Sequence, residues 1–445
     1  MSFPAYPQYS APSIDYLGEL PEHWWAVPLK RLATVRNGRD YKEVEETAGP
    51  YPVIGSGGEF ARSSAYLYSG ESVLFGRKGT VDRPLLVSGS FWTVDTMFYT
   101  VVHRNTDPRF LFYTGSIIPF GRISTNTALP SVAQEDLSDT YLPQPPLTEQ
   151  TVIADFLDHE TARIDALIEE QQRLIALLKE ELHTSLADSV TKGLDPIAPK
   201  RETEISDLPT IPEHWRLTKA KFLIREFEQG WSPQCENTPA RDDSDWAVLK
   251  VGAVNGGMFR PNENKRLPEE LEGISKLTVR AGDLLVSRAN TRELVGSAAV
   301  VERDHDRLMV SDKLYRIRLN ETACIPAFLS AYLQTQHPRR EIEFEATGAS
   351  SSMLNIGQYV VRELLVPTPP IDEQKEIVDW ISERQHQYET LMHTANRSIE
   401  LLRERRHATI SAAVTGKIDV RNWVQRMSSD ELELPCAAEE GASYG

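Results

Sequence analysis

The chain has 445 residues, more than a single growing hydrophobic core serves, so two or more domains are expected. Hydrophobic residues make up 40% and charged residues 25%, the balance of a globular protein, and no apolar run nears the roughly 20 residues of a membrane span. A formal net charge of -17 excludes a uniformly basic surface of the kind that grips phosphate, so any nucleic-acid role must rest on where the charge sits.

Residues 1–12 lack a basic segment followed by an apolar run, so no secretory leader and a cytoplasmic location are expected. Cys235, Cys324 and Cys436 lie far apart without Cys-x-x-Cys or His-rich spacing, which predicts neither a disulfide framework nor a metal site. Leu20-Pro21-Glu22-His23-Trp24 precedes the first block of structure, with Trp24 read as a packing anchor and His23 as local support. Residues 51–104 are rich in Val, Tyr, Phe, Gly and Ser, and the runs Ser72–Phe75 and Phe98–Val102 predict strands between turns. Pro108–Ser116 has helical spacing. Pro145-Pro146-Leu147-Thr148-Glu149-Gln150 then leads into a long amphipathic helix, in which Ile153, Leu157, Ile164, Leu167, Leu174, Leu178 and Leu182 form one stripe. Thr148 can accept N–H bonds at its start and Glu149 sits at the positive end of its dipole, while Gly193 stands where it should stop. Gly193–Pro212 reads as a linker.

The chain then repeats itself. Ile211-Pro212-Glu213-His214-Trp215 restates the first element, and Pro369-Pro370-Ile371-Asp372-Glu373-Gln374 restates the second. Between them, Asp283–Ser287 and Leu314–Arg318 predict strands and Pro326–Gln336 a helix, so each domain mixes α and β. The second helical stripe is Ile377, Ile381, Tyr388, Leu391, Ile399 and Leu402, with Asp372 and Glu373 at its start and Gly416 at its end. The helical blocks match without a gap as far as Asp195 and Asp419, whereas the stretch before them is longer in the second copy. Helix length is therefore the constrained quantity. Each rod, about 60 Å long at 1.5 Å per residue, is too thin to bury its own stripe, so the two are expected to pack together.

These readings predict an α+β fold of two mixed α/β domains joined by two long antiparallel coiled-coil helices, an internal repeat with a pseudo-two-fold. The expected boundaries are 1–146 for the first domain, 147–196 for its helix, 197–370 for linker and second domain, 371–420 for the second helix and 421–445 for an acidic tail. Residues 28–146 hold 12 basic and 12 acidic side chains and residues 216–370 hold 21 of each, whereas 147–196 holds 4 against 11. The neutral domains can thus present a basic face, and the acidic helices are suited to a protein partner.

Two variable domains, each introduced by Leu/Ile-Pro-Glu-His-Trp and followed by Pro-Pro-x-x-Glu-Gln and a long helix, resemble the specificity (S) subunits of type I restriction-modification enzymes. The resemblance spans the chain apart from the acidic tail. It implies that each domain is a target-recognition domain for one half of a bipartite site in double-stranded DNA with an unspecified spacer. It also implies that the helices space the domains and dock two methyltransferase subunits, which modify adenine, with restriction/translocase subunits joining that core. The chain itself is then non-catalytic and without cofactor, S-adenosylmethionine, ATP and Mg being held by the partner subunits. No Asn-Pro-Pro-Tyr or Asp-Pro-Pro-Tyr methyltransferase motif and no phosphate-binding loop occurs. Glu373-Gln374-Lys375 looks like a nuclease Glu-x-Lys, yet it opens a helix, where capping accounts for it. The rival expectation is a coiled-coil scaffold whose globular ends bind protein and play no part in DNA recognition.

As a DNA reader, the first domain offers Gly76-Arg77-Lys78-Gly79-Thr80 after a strand, where glycines permit a tight turn close to a phosphate. Arg77 can reach a guanine edge and Lys78 a phosphate. Ser287-Arg288-Ala289-Asn290-Thr291-Arg292 takes that place in the second domain without the glycines, and its Asn290 is suited to adenine. Further candidates are Ser56 and Gly57, then Lys250, Asn255 and Gly256, and the polar stretches Thr125-Asn126 and Ser350-Ser351-Ser352. No catalytic or metal-binding residue is expected.

Overall fold

The computed structural model describes residues 3–11, 14–125, 127–236, 238–350 and 353–423. Of the candidate positions, Asn126, Ser351, Ser352 and the side chain of Ser350 lie outside the described residues, as do Cys436 and the tail beyond residue 423. The chain forms two compact units: one takes it up to Gln172 and again from Asn396, and the other is Arg173–Ala395.

The first unit is built on a four-stranded antiparallel sheet in the order Ala33–Asn37, Met97–Val102, Ser72–Gly76, Leu85–Val87. Ser72–Gly76 is buried along its whole length. Val73 and Phe75 face a core with Leu32 and Leu111, and Leu74 faces another with Val53 and Phe91. A strand covered on both faces needs an unbroken apolar run, which is why Val-Leu-Phe was legible. The second core lies under a smaller sheet in which Tyr51–Gly55 pairs antiparallel with Gly58–Ser63 and parallel with Ser90–Thr93.

The second unit repeats this plan. Its main sheet runs Ile224–Gln229, Leu314–Leu319, Leu284–Ser287, Ala298–Val300, again antiparallel throughout. Leu284 and Val286 face one core and Leu285 the other. Its smaller sheet pairs Ala247–Leu249 antiparallel with Asn264–Arg266 and parallel with Leu308–Met309. In each unit a short helix begins at a proline, Pro108–Gly115 or Pro326–Leu333, where the missing N–H costs nothing.

Gly193–Pro212, expected as a linker, instead contains an antiparallel hairpin of Lys200–Ile205 with Leu208–Pro212. The half-buried positions of its first strand are Arg201, Thr203 and Ile205. Polar residues carry most of that alternation, so a search for apolar alternation passes over it. Tyr9–Ser10 with Leu20–Pro21 is the matching pair in the first unit.

The two long helices are Leu147–Lys192 and Ile371–Val414. In the first unit Ile153, Phe156 and Leu157 pack with Ile410, Ala413 and Val414. In the second, Ile377 and Ile381 pack with Val190 and Leu186. The opening turns of one helix therefore meet the closing turns of the other within each unit, an antiparallel arrangement. Ile164, Tyr388 and Ile399 are buried, while Leu167, Leu174 and Leu391 of the same predicted stripes remain substantially exposed, because two helices bury only a narrow seam. Among the described residues no helix is long and apolar enough to cross a membrane.

Candidate nucleic-acid interface

Each unit is locked by the same group of side chains. In the first, His23 Nε2 donates to Glu149 Oε2 at 2.9 Å, and Trp24 Nε1 donates to Glu149 Oε1 at 3.2 Å. In the second, His214 Nε2 donates to Glu373 Oε2 at 2.8 Å, and Trp215 Nε1 donates to Glu373 Oε1 at 3.0 Å. The two Trp rings are 4% and 2% exposed, so the indole N–H must find a partner inside the protein. The neighbouring glutamine ties down the short helix of each unit. Gln150 Oε1 accepts from Asp107 N, and its Nε2 donates to Pro145 O; Gln374 Oε1 accepts from Ile325 N, and its Nε2 donates to Pro369 O.

The capping expectation for Glu149 and Glu373 thus gives way to a clamp on the His-Trp pair. The helices begin at Leu147 and Ile371, which leaves Thr148 and Asp372 inside the first turn, with Asp372 paired to Lys375 at 3.0 Å. Among the described residues only the first clamp has a third donor, the Tyr6 hydroxyl. Burial and then the bond to Glu149 push that hydroxyl above its ordinary pKa. Among the described residues no group of three or more His, Cys, Asp or Glu is placed to hold a metal.

On this frame, strand Ser72–Gly76 delivers the first candidate loop. A Cβ at Gly76 would stand 2.0 Å from Thr80 O, and Gly79 has φ +83°, so the turn requires both glycines. Its backbone is fixed on both sides: Arg77 N donates to Thr96 O at 2.8 Å, and Val132 N donates to Arg77 O at 3.0 Å. Arg77 is half-buried, with Nη1 donating to Asp95 O at 3.3 Å, and Lys78 and Thr80 are exposed. Arg77, Lys78 and Thr125 line one cleft of about 440 Å³. Asn37 and Gln134 line it too, joined by an Asn37 Nδ2 to Gln134 Oε1 bond of 2.7 Å. Neither amide was predicted; they come from the edge strand and a short helix, and only topology brings them to the loop. Ser56 and Gly57 form the tip of the Tyr51–Ser63 hairpin and do not line this cleft.

In the second unit the chain after Leu284–Ser287 stays extended, with Ala289–Asn290 pairing to Leu354–Asn355. That pairing replaces the glycine turn and sets Leu354 and Asn355 beside the candidate loop. Asn290 Nδ2 donates to Asn255 Oδ1 at 3.2 Å, and Asn290 Oδ1 accepts from Thr291 N at 2.9 Å. Ser287 is buried beside them, its Oγ 3.5 Å from Asn290 Nδ2. The Thr291 hydroxyl is buried without a partner among the described residues. Arg288 Nη1 donates to Asp312 O at 3.2 Å, and Arg292 is exposed. Lys250 opens the turn that carries Asn255 and Gly256, whose φ of +75° suits glycine alone. This turn joins the same two strands of the smaller sheet as the Ser56-Gly57 tip does in the first unit.

Two loops of different sequence thus sit on one duplicated frame. The family described as Type I restriction modification DNA specificity domain matches residues 21–177 and 237–401, together more than half of the chain and each running through a candidate loop into a long helix. The chain belongs to this family. Within this type I specificity family, the EcoBI specificity subunit of Escherichia coli is 24% identical over 82% of this chain and 80% of its own length. The Escherichia coli EcoEI specificity subunit is 30% identical, over 39% of this chain and 29% of that subunit. A solved structure from work on complex assembly and conformational transition of the type I R-M system covers 89% of this chain and 98% of its own, with a TM-score of 0.64 at 18% identity. That likeness is one of fold.

Proposed function

We propose that this chain is the specificity subunit of a type I restriction-modification complex, each unit reading one half of a split site in double-stranded DNA. The observation that carries the reading is a single frame built twice and loaded with different loops. Strand order, clamp and glutamine tie repeat between units, whereas Gly76–Thr80 is a glycine turn and Ser287–Arg292 a paired strand. Equal frames suit equal partners, and unequal loops suit unequal base sequences. The candidate readers are Arg77, Lys78 and Thr125 in the first unit, with Asn37 and Gln134 beside them. In the second they are Asn290, Asn255 and Arg288, with Ser287, Thr291, Arg292, Lys250 and Gly256 around them.

In this reading the chain chooses the site and does no chemistry. Two methyltransferase subunits dock on the long helices, hold S-adenosylmethionine and turn the target adenine out of the duplex; restriction subunits supply the ATP- and Mg-dependent steps. The complex works in the cytoplasm, where its DNA target is. Long-read mapping of adenine methylation in cells with and without this gene tests the proposal directly. Loss of methylation at one bipartite motif is expected, and an unchanged methylation map overturns it. A gel-shift of the chain with its methyltransferase partner separates this reading from an interaction scaffold, which would form no sequence-selective complex at any salt.

A further inference from the structure

The second unit holds a cavity of about 410 Å³ between the hairpin around Asp207 and the helices Gln336–Glu345 and Gln358–Glu363, and none of the candidate readers lines it. Glu204, Asp207, Glu341, Glu345 and Glu363 line it, and no lysine or arginine does. Three of these carboxylates are already engaged. Asp207 pairs with Arg340, Glu345 Oε2 accepts from the Tyr359 hydroxyl at 2.7 Å, and Glu363 accepts from Lys219 and Lys221 at 2.7 Å each. Glu204 and Glu341 are exposed and have no hydrogen bond or ion pair among the described residues.

A second observation is independent of the charge. His337, which also lines the cavity, is only 7% exposed, and its Nε2 is buried without a hydrogen-bond partner among the described residues. Burial holds the ring's pKa below the usual histidine value, against the opposing pull of Glu341 and Asp207, so the ring is neutral. A neutral imidazole carries one N–H and one lone pair, so Nε2 can accept a hydrogen bond in the tautomer with its proton on Nδ1. Leaving such a group unpaired costs free energy that an incoming N–H would recover. The remaining wall is apolar, made by Ile205, Val360 and Leu365, and the Tyr359 ring is 57% exposed at the edge.

We propose that this cavity receives a lysine or arginine side chain from a protein partner, its charged end bound by Glu204, Glu341 and His337 Nε2 and its methylene stem laid on the apolar wall. Such a side chain needs an apolar track ending in acceptors, and the Tyr359 face adds a favourable surface for a cation. Five carboxylates exclude phosphate, so nucleic acid is not the occupant. The stretch of the first unit that precedes its long helix supplies only the four-residue helix Phe120–Ile123 in place of Gln336–Glu345. The partner contact is therefore made by the second unit alone, which lets two otherwise equivalent ends of the chain be told apart.

The test uses the full chain with ¹³C-labelled histidine rings, the His337 resonance being assigned by its absence in His337→Gln. The probes are acetylated, amidated Gly-Lys-Gly and Gly-Arg-Gly peptides, with Gly-Gln-Gly and magnesium chloride as comparisons. The basic peptides should shift the His337 resonance saturably, and the neutral peptide should not. Glu204→Gln with Glu341→Gln, both at exposed positions, should weaken that binding by about tenfold or more, a loss of about 1.4 kcal/mol. Asp304→Asn, a charge change at another acidic surface of this unit, should leave it unaltered. No shift with either basic peptide, an equal shift with the glutamine peptide, or displacement of the basic peptide by magnesium would each overturn the proposal.

Discussion

Arg77 and Glu149 show two ways in which one side chain can matter. Arg77 is held by its backbone and leaves its guanidinium at the wall of a cleft, so Arg77→Ala should cost about 1–3 kcal/mol of target discrimination and relax one position of the first half-site. Lys78→Ala, which removes an exposed charge, should weaken methylation evenly across sequences. Methylation mapping of both variants decides, and an unchanged motif and rate for Arg77→Ala would make the loop a plain surface turn. Glu149 matters for stability instead. Its side chain is 7% exposed and serves Tyr6, His23 and Trp24, whereas Glu373 is 26% exposed and serves His214 and Trp215. Glu149→Ala strands two buried donors, so a loss of about 2–4 kcal/mol is expected in urea unfolding, with a smaller loss for Glu373→Ala. The sequence marked Trp24, His23 and Glu149 separately, as anchor, support and cap. That they form one clamp was not legible, because the partners lie more than a hundred residues apart. Asn37 and Gln134 escaped likewise, since an isolated amide on an edge strand or at the start of a short helix carries no local pattern.

At the scale of elements, buried strands and long helices were legible because each has a period or an unbroken apolar run. The hairpin at Lys200–Pro212 was not, since charged residues alternate there. The helix ends follow from glycine. Gly416 has φ +68°, Gly416 N donates to Ala413 O at 3.2 Å and Lys417 N to Ala412 O at 2.8 Å, a Schellman closure. A Cβ at Gly416 would also lie 2.4 Å from the Pro21 ring, while one at Gly193 would lie 3.3 Å from Trp215. Gly416→Ala should therefore destabilise the first unit by about 1–3 kcal/mol or more. Gly193→Ala, at φ +77°, should cost less, since its neighbour is a side chain at tolerable distance. Thermal unfolding of the two variants checks the order; equal losses would mean that backbone strain alone sets the cost.

For the whole molecule, the gapless match of the two helical blocks, against loops and domains that differ, makes helix length the quantity to perturb. Inserting four residues into one long helix adds about one turn, or roughly 6 Å, close to two base pairs of rise. The unspecified gap of the target should change by one or two base pairs while the bases read in each half stay the same. A variant active with its original gap would show that the helices do not set it. The division of the chain has another outcome, in time. Residues 173–395 form the second unit in one continuous stretch, but the first unit needs Ile410, Ala413 and Val414 to cover Ile153, Phe156 and Leu157. During synthesis at about 5–20 residues per second, the ribosome takes roughly 10–45 s to pass from Gln172 to Asn396. The half of the protein that is made first is thus the half that matures last. A chain stopped at residue 395 should keep slow amide exchange in Leu284–Ser287 and lose it around Ile153–Leu157, and a nascent chain stalled there should hold that apolar face open to chaperones.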